Sequence, residues 1–208
     1  MNLFKTGQCP VIPVVRIESA ERAVGLARTL VDAGLRTIEI TLRTPAACAA
    51  IARIRAEVPE ALVGAGTVLN GDDLDRVSEA GARFAIAPGC SDALYQAAAN
   101  TSLPLLPGVA TASEIMRGLD HGHEIFKFFP AQSAGGISLL KAWAGPFPKV
   151  RFVPTGGITP ANAPDYLRLG NVLAVGGSWM VPEEAIAVGD WAQIAALAQA
   201  CAALARDV

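Results

Sequence analysis

The chain has almost no histidine and no paired cysteines. Its 208 residues include two histidines and four cysteines. Cys9, Cys48, Cys90 and Cys201 are widely scattered, with no Cys-x-x-Cys spacing, which argues against zinc-ribbon and dithiol redox chemistry. They are expected to be reduced, mostly buried thiols. His121 and His123 flank Gly122 between a predicted helix and a predicted strand. A lone His-x-His without a third ligand is poor ground for a metal centre, so a solvated turn is expected and no metal or cofactor. No lysine or arginine run forms a basic patch, and the net charge is -2, so nucleic acid is not an expected partner. No apolar stretch approaches a membrane span, and Met1-Asn-Leu-Phe-Lys-Thr-Gly-Gln8 lacks a charged-then-apolar signal pattern. The expectation is a cytoplasmic enzyme. No low-complexity linker or compositional shift marks a second domain, so residues 1–208 are expected to form one.

What is present is core-forming sequence, 52% hydrophobic and 17% charged, in a repeating order. Short apolar strands are predicted near Val11 to Ile17, Thr37 to Leu42, Leu62 to Val68, Phe84 to Pro88, Leu105 to Val109, Ile125 to Phe129, Phe152 to Thr155 and Val172 to Val175. Alanine- and leucine-rich amphipathic helices follow, starting near Ser19, Pro45, Asn70, Ser91, Thr111, Gly136, Thr159, Pro182 and Asp190. Ser19, Asn70, Ser91 and Thr159-Pro160 supply capping oxygens or a first-turn proline. Gly34, Gly81 and Gly170 stand where helices end. Eight consecutive strand-helix units predict an α/β fold of the (β/α)8 TIM-barrel type, at the lower edge of its length range. The rival is an open dinucleotide-binding sheet, which would carry Gly-x-Gly-x-x-Gly after the first strand. Here Gly64-Ala-Gly-Thr-Val-Leu-Asn-Gly71 lies on the third unit with the wrong spacing.

Strand alternation puts Glu39, Thr41 and Arg43 on one face of the second strand and Ile38, Ile40 and Leu42 on the other. If the isoleucine face packs under helices, the polar row points inward, which is costly unless the groups pair or serve a ligand. A Glu39 to Arg43 ion pair at the mouth is one reading. On the sixth strand, Lys127 sits inside Glu124-Ile-Phe-Lys-Phe-Phe-Pro130 and shares a face with Ile125 and Phe129. An apolar site disfavours the charged form of lysine, and a neutral amine is a nucleophile suited to Schiff-base chemistry on a carbonyl. Snorkelling past Phe129 to water is the plainer alternative. Arg16, Arg43, Thr67, Lys127, Thr155 and Ser178 all fall near C-terminal strand ends, where barrels do their chemistry. Pro154-Thr-Gly-Gly-Ile-Thr-Pro160 and Val175-Gly-Gly-Ser-Trp179 each place a glycine pair before a predicted helix. Such pairs can form an anion cradle after strands seven and eight.

Gly34-Leu-Arg-Thr-Ile-Glu-Ile-Thr-Leu-Arg-Thr44 and Gly122-His-Glu-Ile-Phe-Lys-Phe-Phe-Pro-Ala131 resemble the signature segments of the 2-keto-3-deoxy-6-phosphogluconate and 4-hydroxy-2-oxoglutarate aldolases. The resemblance extends through Val63-Gly-Ala-Gly-Thr-Val68, Leu105-Leu-Pro-Gly-Val109, Ala144-Gly-Pro-Phe147 and Pro154-Thr-Gly-Gly-Ile158 to Gly176-Gly-Ser-Trp179. It implies a class I aldolase that splits 2-keto-3-deoxy-6-phosphogluconate reversibly into pyruvate and glyceraldehyde 3-phosphate. The resemblance implies that Lys127 is the Schiff-base lysine and Glu39 the general acid/base. Arg43 and Thr67 then bind the pyruvyl carboxylate, and Gly156, Gly157, Gly177 and Ser178 receive phosphate. Arg16, Thr155 and Phe129 are further candidate substrate contacts. A homotrimer is implied as well. The alternatives are a sibling aldolase acting on 4-hydroxy-2-oxoglutarate or on the galactonate epimer, a metal-dependent lyase, and a non-catalytic phosphosugar-binding barrel.

Overall fold

A computed structural model describes residues 9–204. The N-terminal stretch weighed for a signal pattern lies outside the described residues. The chain runs β1 (Val11–Val15), α1 (Ala23–Asp32), β2 (Thr37–Thr41), α2 (Ala47–Glu57), β3 (Leu62–Gly66), α3 (Gly71–Glu79), β4 (Ala85–Ile86) and α4 (Asp92–Ala99). It continues through β5 (Leu105–Leu106), β6 (Gly108–Val109), α5 (Ala112–Asp120), β7 (Ile125–Phe128), α6 (Gly136–Trp143) and β8 (Arg151–Pro154). Last come α7 (Ala163–Leu167), β9 (Val175–Gly177), α8 (Glu183–Val188) and α9 (Trp191–Leu204). The fold is α/β with parallel strands: a six-stranded sheet ordered β5-β4-β3-β2-β1-β9 and a three-stranded sheet ordered β6-β7-β8. Isolated parallel bridges, Phe152 with Val172 and Thr155 with Gly176, connect the two.

The strand rich in β-branched residues, Thr37-Ile-Glu-Ile-Thr41, is buried along its whole length, as expected where helices cover a parallel sheet. Ile38 and Ile40 join a large apolar cluster with α1 and α2 residues such as Leu26, Leu30 and Ile51. The opposite faces of the strands meet in a second, smaller cluster of Ile12, Phe84, Ile86, Leu106, Val153 and Ala174. Both sheets contribute to it. Helix starts follow the capping chemistry. Asn70 accepts from Asp73 N–H, Ser91 from Leu94 N–H, and Thr111 with Glu114 makes a reciprocal capping box.

Three expectations about the elements are corrected. The predicted fifth strand is interrupted at Pro107, which has no N–H to donate; its carbonyl still accepts from Lys127 N–H at 2.9 Å. The seventh helix begins at Ala163 rather than near Thr159, because Thr159 and Asn162 first close a turn on each other. The last strand is Val175–Gly177, not Val172 to Val175, so Gly176 and Gly177 are strand residues paired with Ile12 and Pro13. Glycine is needed there for space. A Cβ on Gly176 would stand 2.4 Å from Thr155 Oγ1, and one on Gly177 would stand 1.8 Å from the Trp179 ring. The cysteines are also less buried than expected: only Cys201 is buried, and Cys9, Cys48 and Cys90 are half-buried.

Candidate active site

β7 carries Lys127 opposite Gly108 of β6 and Val153 of β8, and β2 carries Glu39 opposite Val14 and Gly64. The two side chains converge on one point. Lys127 Nζ donates to Glu39 Oε1 at 3.0 Å, with Lys127 5% exposed and Glu39 2% exposed. The Phe129 ring closes one side, its centroid 5.3 Å from Nζ. Two readings of the sequence are corrected by this contact. Lys127 neither stands alone nor snorkels to water, and Glu39 is paired with Lys127 rather than with Arg43, which is exposed. A buried ion pair is no sign of extra stability, but removing one partner leaves a buried charge uncompensated at a cost of about 3–5 kcal/mol.

Room for the pair comes from β3. Gly64 and Gly66 face inward by alternation, and a Cβ on Gly66 would lie 2.1 Å from Glu39 Oε1, while one on Gly64 would press on the Phe84 ring at 2.4 Å. Gly66 was missed as a site residue. Its signal was the Gly-x-Gly pattern at strand period, which removes two side chains from one face. Thr67, just beyond, holds φ at +61° and is half-buried. A threonine in the left-handed region is strained and is often found at functional positions.

One inward step along β2 from Glu39 comes Thr41, whose hydroxyl donates to the Val15 carbonyl at 2.9 Å. Thr41 lines a cavity of about 180 Å³ with Val14, Arg16, Arg43, Ser178, Pro182 and Glu183, among others. Inward-facing residues two apart are separated by about 6.6 Å along a strand, so through Thr41 the lining of this cavity comes within one such step of Glu39 on β2. Arg16 is not free in it. Its guanidinium donates to Glu183 at 2.7 Å and also pairs with Glu18, contacts that hold it more firmly protonated, the Glu183 hydrogen bond foremost. Glu183 was not foreseen. In the sequence Pro182-Glu183-Glu184 reads as ordinary acidic residues of a helix first turn.

Of the two predicted glycine turns, one is a turn and the other is strand. Gly156 and Gly157 follow β8 with φ of +97° and +75°, and a Cβ on Gly157 would stand 2.5 Å from Gln132 Cβ. Gln132 is tied down by Tyr166, whose hydroxyl donates to its Oε1 at 2.8 Å. Among the described residues, the N–H groups of Gly157, Ile158 and Ser178 have no protein acceptor. Gly177 lies inside β9 rather than in a turn. Thr155 is buried and bridges to Gly176, which joins this turn to the strand leading into Ser178.

Away from the site, His121 stacks on Tyr95 with ring centroids 4.4 Å apart, and His123 tilts against the same ring at 5.2 Å. The turn is exposed at His121 and Gly122, as expected, and half-buried at His123. Burial, with the neighbouring His121, lowers the His123 pKa. Burial pushes the Cys90 thiol up to about 12 and Cys201 up to about 11, so neither is a reactive thiolate near neutral pH. Among the described residues, no three His, Cys, Asp or Glu side chains converge on one point.

Residues 4–197 match the family model described as KDPG and KHG aldolase. A KHG/KDPG aldolase of Escherichia coli K12 is 54% identical over 198 residues, covering 95% of this chain and 92% of that protein. The crystal structure of a KDPG aldolase from Legionella pneumophila, holding pyruvate captured at low pH as a covalent carbinolamine intermediate, superposes with a TM-score of 0.90 at 49% identity. It covers 92% of this chain and 93% of that one. A 2-keto-3-deoxy-6-phosphogluconate aldolase of Zymomonas mobilis with 3-phosphoglycerate gives 0.88 at 49% identity, covering 94% of this chain and 92% of that one. A buried lysine held by a carboxylate thus stands in a chain that belongs to the family of KDPG and KHG aldolases.

Proposed function

We infer that Lys127 is the Schiff-base nucleophile of a class I aldolase and that Glu39 is its general acid and base. The chain cleaves 2-keto-3-deoxy-6-phosphogluconate to pyruvate and glyceraldehyde 3-phosphate, reversibly. The observation that carries the residue assignment is the buried contact of Lys127 Nζ with Glu39 Oε1 at 3.0 Å. Lys127 must lose a proton before it can attack a ketone, and Glu39 is within reach to take it. The free amine adds to C2, Glu39 returns its proton to the carbinolamine hydroxyl, and that hydroxyl leaves as water to give an iminium that acts as the electron sink. Glu39 then removes the proton of the C4 hydroxyl. The C3–C4 bond breaks, its electrons pass into the enamine, and glyceraldehyde 3-phosphate departs. Protonation of the enamine carbon, from Glu39 through water, and hydrolysis of the imine release pyruvate and restore the lysine.

Arg43 and Thr67 are assigned to the pyruvyl carboxylate, where a guanidinium offers two parallel hydrogen bonds. Gly156, Gly157, Ser178 and the end of β9 at Gly177 are assigned to the phosphate. The support is the pair of positive-φ glycines and the N–H groups of Gly157, Ile158 and Ser178 that lack protein acceptors. Phe129 and Thr155 are assigned as further substrate contacts, and Arg16 is assigned to the polar tail. Because the Escherichia coli relative is named for both substrates, a second activity on 4-hydroxy-2-oxoglutarate is part of the reading. The architecture we propose is a single (β/α)8 barrel of residues 1–208. The bridges of Phe152 with Val172, ahead of β9, and of Thr155, just past β8, with Gly176, and the run of chain from β5 into β6, support its closure. A homotrimer and a cytoplasmic location rest on the family. Among the described residues no helix is long and apolar enough to cross a membrane.

The test is borohydride reduction in the presence of pyruvate, followed by mass measurement of the peptides. One reduced pyruvyl adduct is expected at Lys127. Lys141, Lys149 and Lys5, the last outside the described residues, should stay unmodified. An adduct on another lysine, or full activity with none, removes the assignment.

A further inference from the structure

We propose that Glu183 is a specificity-determining residue: by holding the Arg16 guanidinium it competes with the anionic tail of the substrate, and so sets how strongly the enzyme prefers a phosphorylated keto acid. This rests on the aldolase reading and deepens it at the tail end of the site. Arg16 continues the inward row of β1 after Ile12 and Val14, and its side chain lines the same cavity as Arg43 and Ser178. It bonds two carboxylates at once, Glu183 at 2.7 Å and Glu18. The two carboxylates are placed differently. Glu18 edges only a neighbouring hollow with Ser19, Glu21 and Arg22, whereas Glu183 lines both that hollow and the cavity.

The charge count makes Glu183 the deciding group. In the cavity lining, Arg16 and Arg43 carry two positive charges and Glu183 one negative charge. A phosphate dianion entering there meets a carboxylate already occupying the guanidinium fork it would use. Arg16, Glu183 and Glu18 are 39%, 60% and 62% exposed in their side chains, so the pair is a solvent-screened contact that a phosphate can displace. Rotation of Glu183 on its helix toward solvent would hand Arg16 to the substrate, with Glu18 still steadying the guanidinium from the far side. Occupation of Arg16 by Glu183 costs a doubly charged tail more than a singly charged one.

The experiment measures inorganic phosphate binding by calorimetry, at fixed ionic strength, for the parent, Glu183→Gln, Arg16→Leu and the double variant. KM for 2-keto-3-deoxy-6-phosphogluconate and for 4-hydroxy-2-oxoglutarate is measured alongside. Glu183→Gln is expected to tighten phosphate binding by about 2- to 5-fold, the range of an exposed ion pair, and to lower KM for the phosphorylated substrate more than for the unphosphorylated one. In the Arg16→Leu background the same change should be reduced to the loss of one repelling charge. Phosphate affinity that does not respond to Glu183→Gln, or that responds equally with and without Arg16, overturns the proposal. Pyruvate trapping of the parent enzyme separates the two levels: an unlabelled Lys127 removes the aldolase reading, whereas a labelled one with unmoved phosphate affinity removes only the role of Glu183.

Discussion

The inward faces of the strands change character within two residues. Part of them is apolar: Ile12, Phe84, Ile86, Leu106, Val153 and Ala174 form one cluster, with Leu62 and Ile125 packed against it. Nearer the C-terminal ends the same faces carry Glu39, Thr41, Lys127 and Thr155, all buried. On β7 the change is from Ile125 to Lys127, and on β8 from Val153 to Thr155 just beyond the strand. A step of about 6.6 Å separates a region whose worth is close packing from one whose worth is chemistry. The polar level is tolerated because its charges neutralise each other at 3.0 Å and because the level beneath keeps out water and fixes the strands. Buried charge is expensive, so it is confined to one pair and spaced by Gly66, which leaves the carboxylate room.

The comparison breaks most sharply at Glu39. Glu39→Gln keeps the shape and an acceptor for Lys127 but cannot exchange protons; turnover should fall by about 10²–10⁴-fold. Pyruvate–borohydride labelling of Lys127 should persist in part. A variant turning over near the parent rate would make Glu39 a structural counter-ion only. The apolar level should behave in the opposite way. Phe84→Ala deletes a fully buried ring and is expected to cost about 3–5 kcal/mol, a fall in Tm of about 10 °C, while Lys127 is still labelled in the folded fraction. Loss of labelling without loss of stability would show that the two levels are not separable.

A finer division lies within the polar level itself, between its proposed pyruvyl and phosphate ends. Leucine at position 157 would need φ near +75° and a Cβ 2.5 Å from that of Gln132. Gly157→Leu should therefore raise KM for the phosphorylated substrate by about 10-fold or more, as expected for loss of a charge-assisted phosphate contact. KM for 4-hydroxy-2-oxoglutarate should change far less; equal losses in a folded protein would place the phosphate elsewhere. The smallest effect belongs to the periphery. His123 has a lowered pKa because burial opposes its charge, so the unfolded chain takes up the proton first as pH falls. Stability from this group is present above about pH 6.5 and is lost as pH drops through its folded value. His123→Gln should flatten the fall in Tm between about pH 7.5 and 5, with activity at neutral pH kept; an unchanged slope would assign the acid sensitivity to other groups.

Much of this was legible in the chain. Glu39, Thr41 and Lys127 follow from a period of two in strands and from the cost of burying charge, which are local facts. So do the helix starts at Asn70, Ser91 and Thr111, where a side-chain oxygen meets a free amide. The misplacement of β9 was also local in origin: Gly176 and Gly177 looked like a turn because glycine is permissive, and only the packing of Thr155 and Trp179 against them gives the other reason for glycine.

Other features depend on which strands become neighbours. That Lys127 meets Glu39, 88 positions away in the chain, depends on strands whose partners are set by long-range packing, and in the sequence read alone a Glu39–Arg43 pair remained one open reading. Likewise the Arg16–Glu183 contact spans 167 positions and leaves no periodic trace in either segment. The sequence by itself determined the alternation of strand and helix, the polar inward row and the family. The tertiary structure alone decided which charge neutralises which, because an ion pair depends on distance in space and periodicity reports only direction from the backbone.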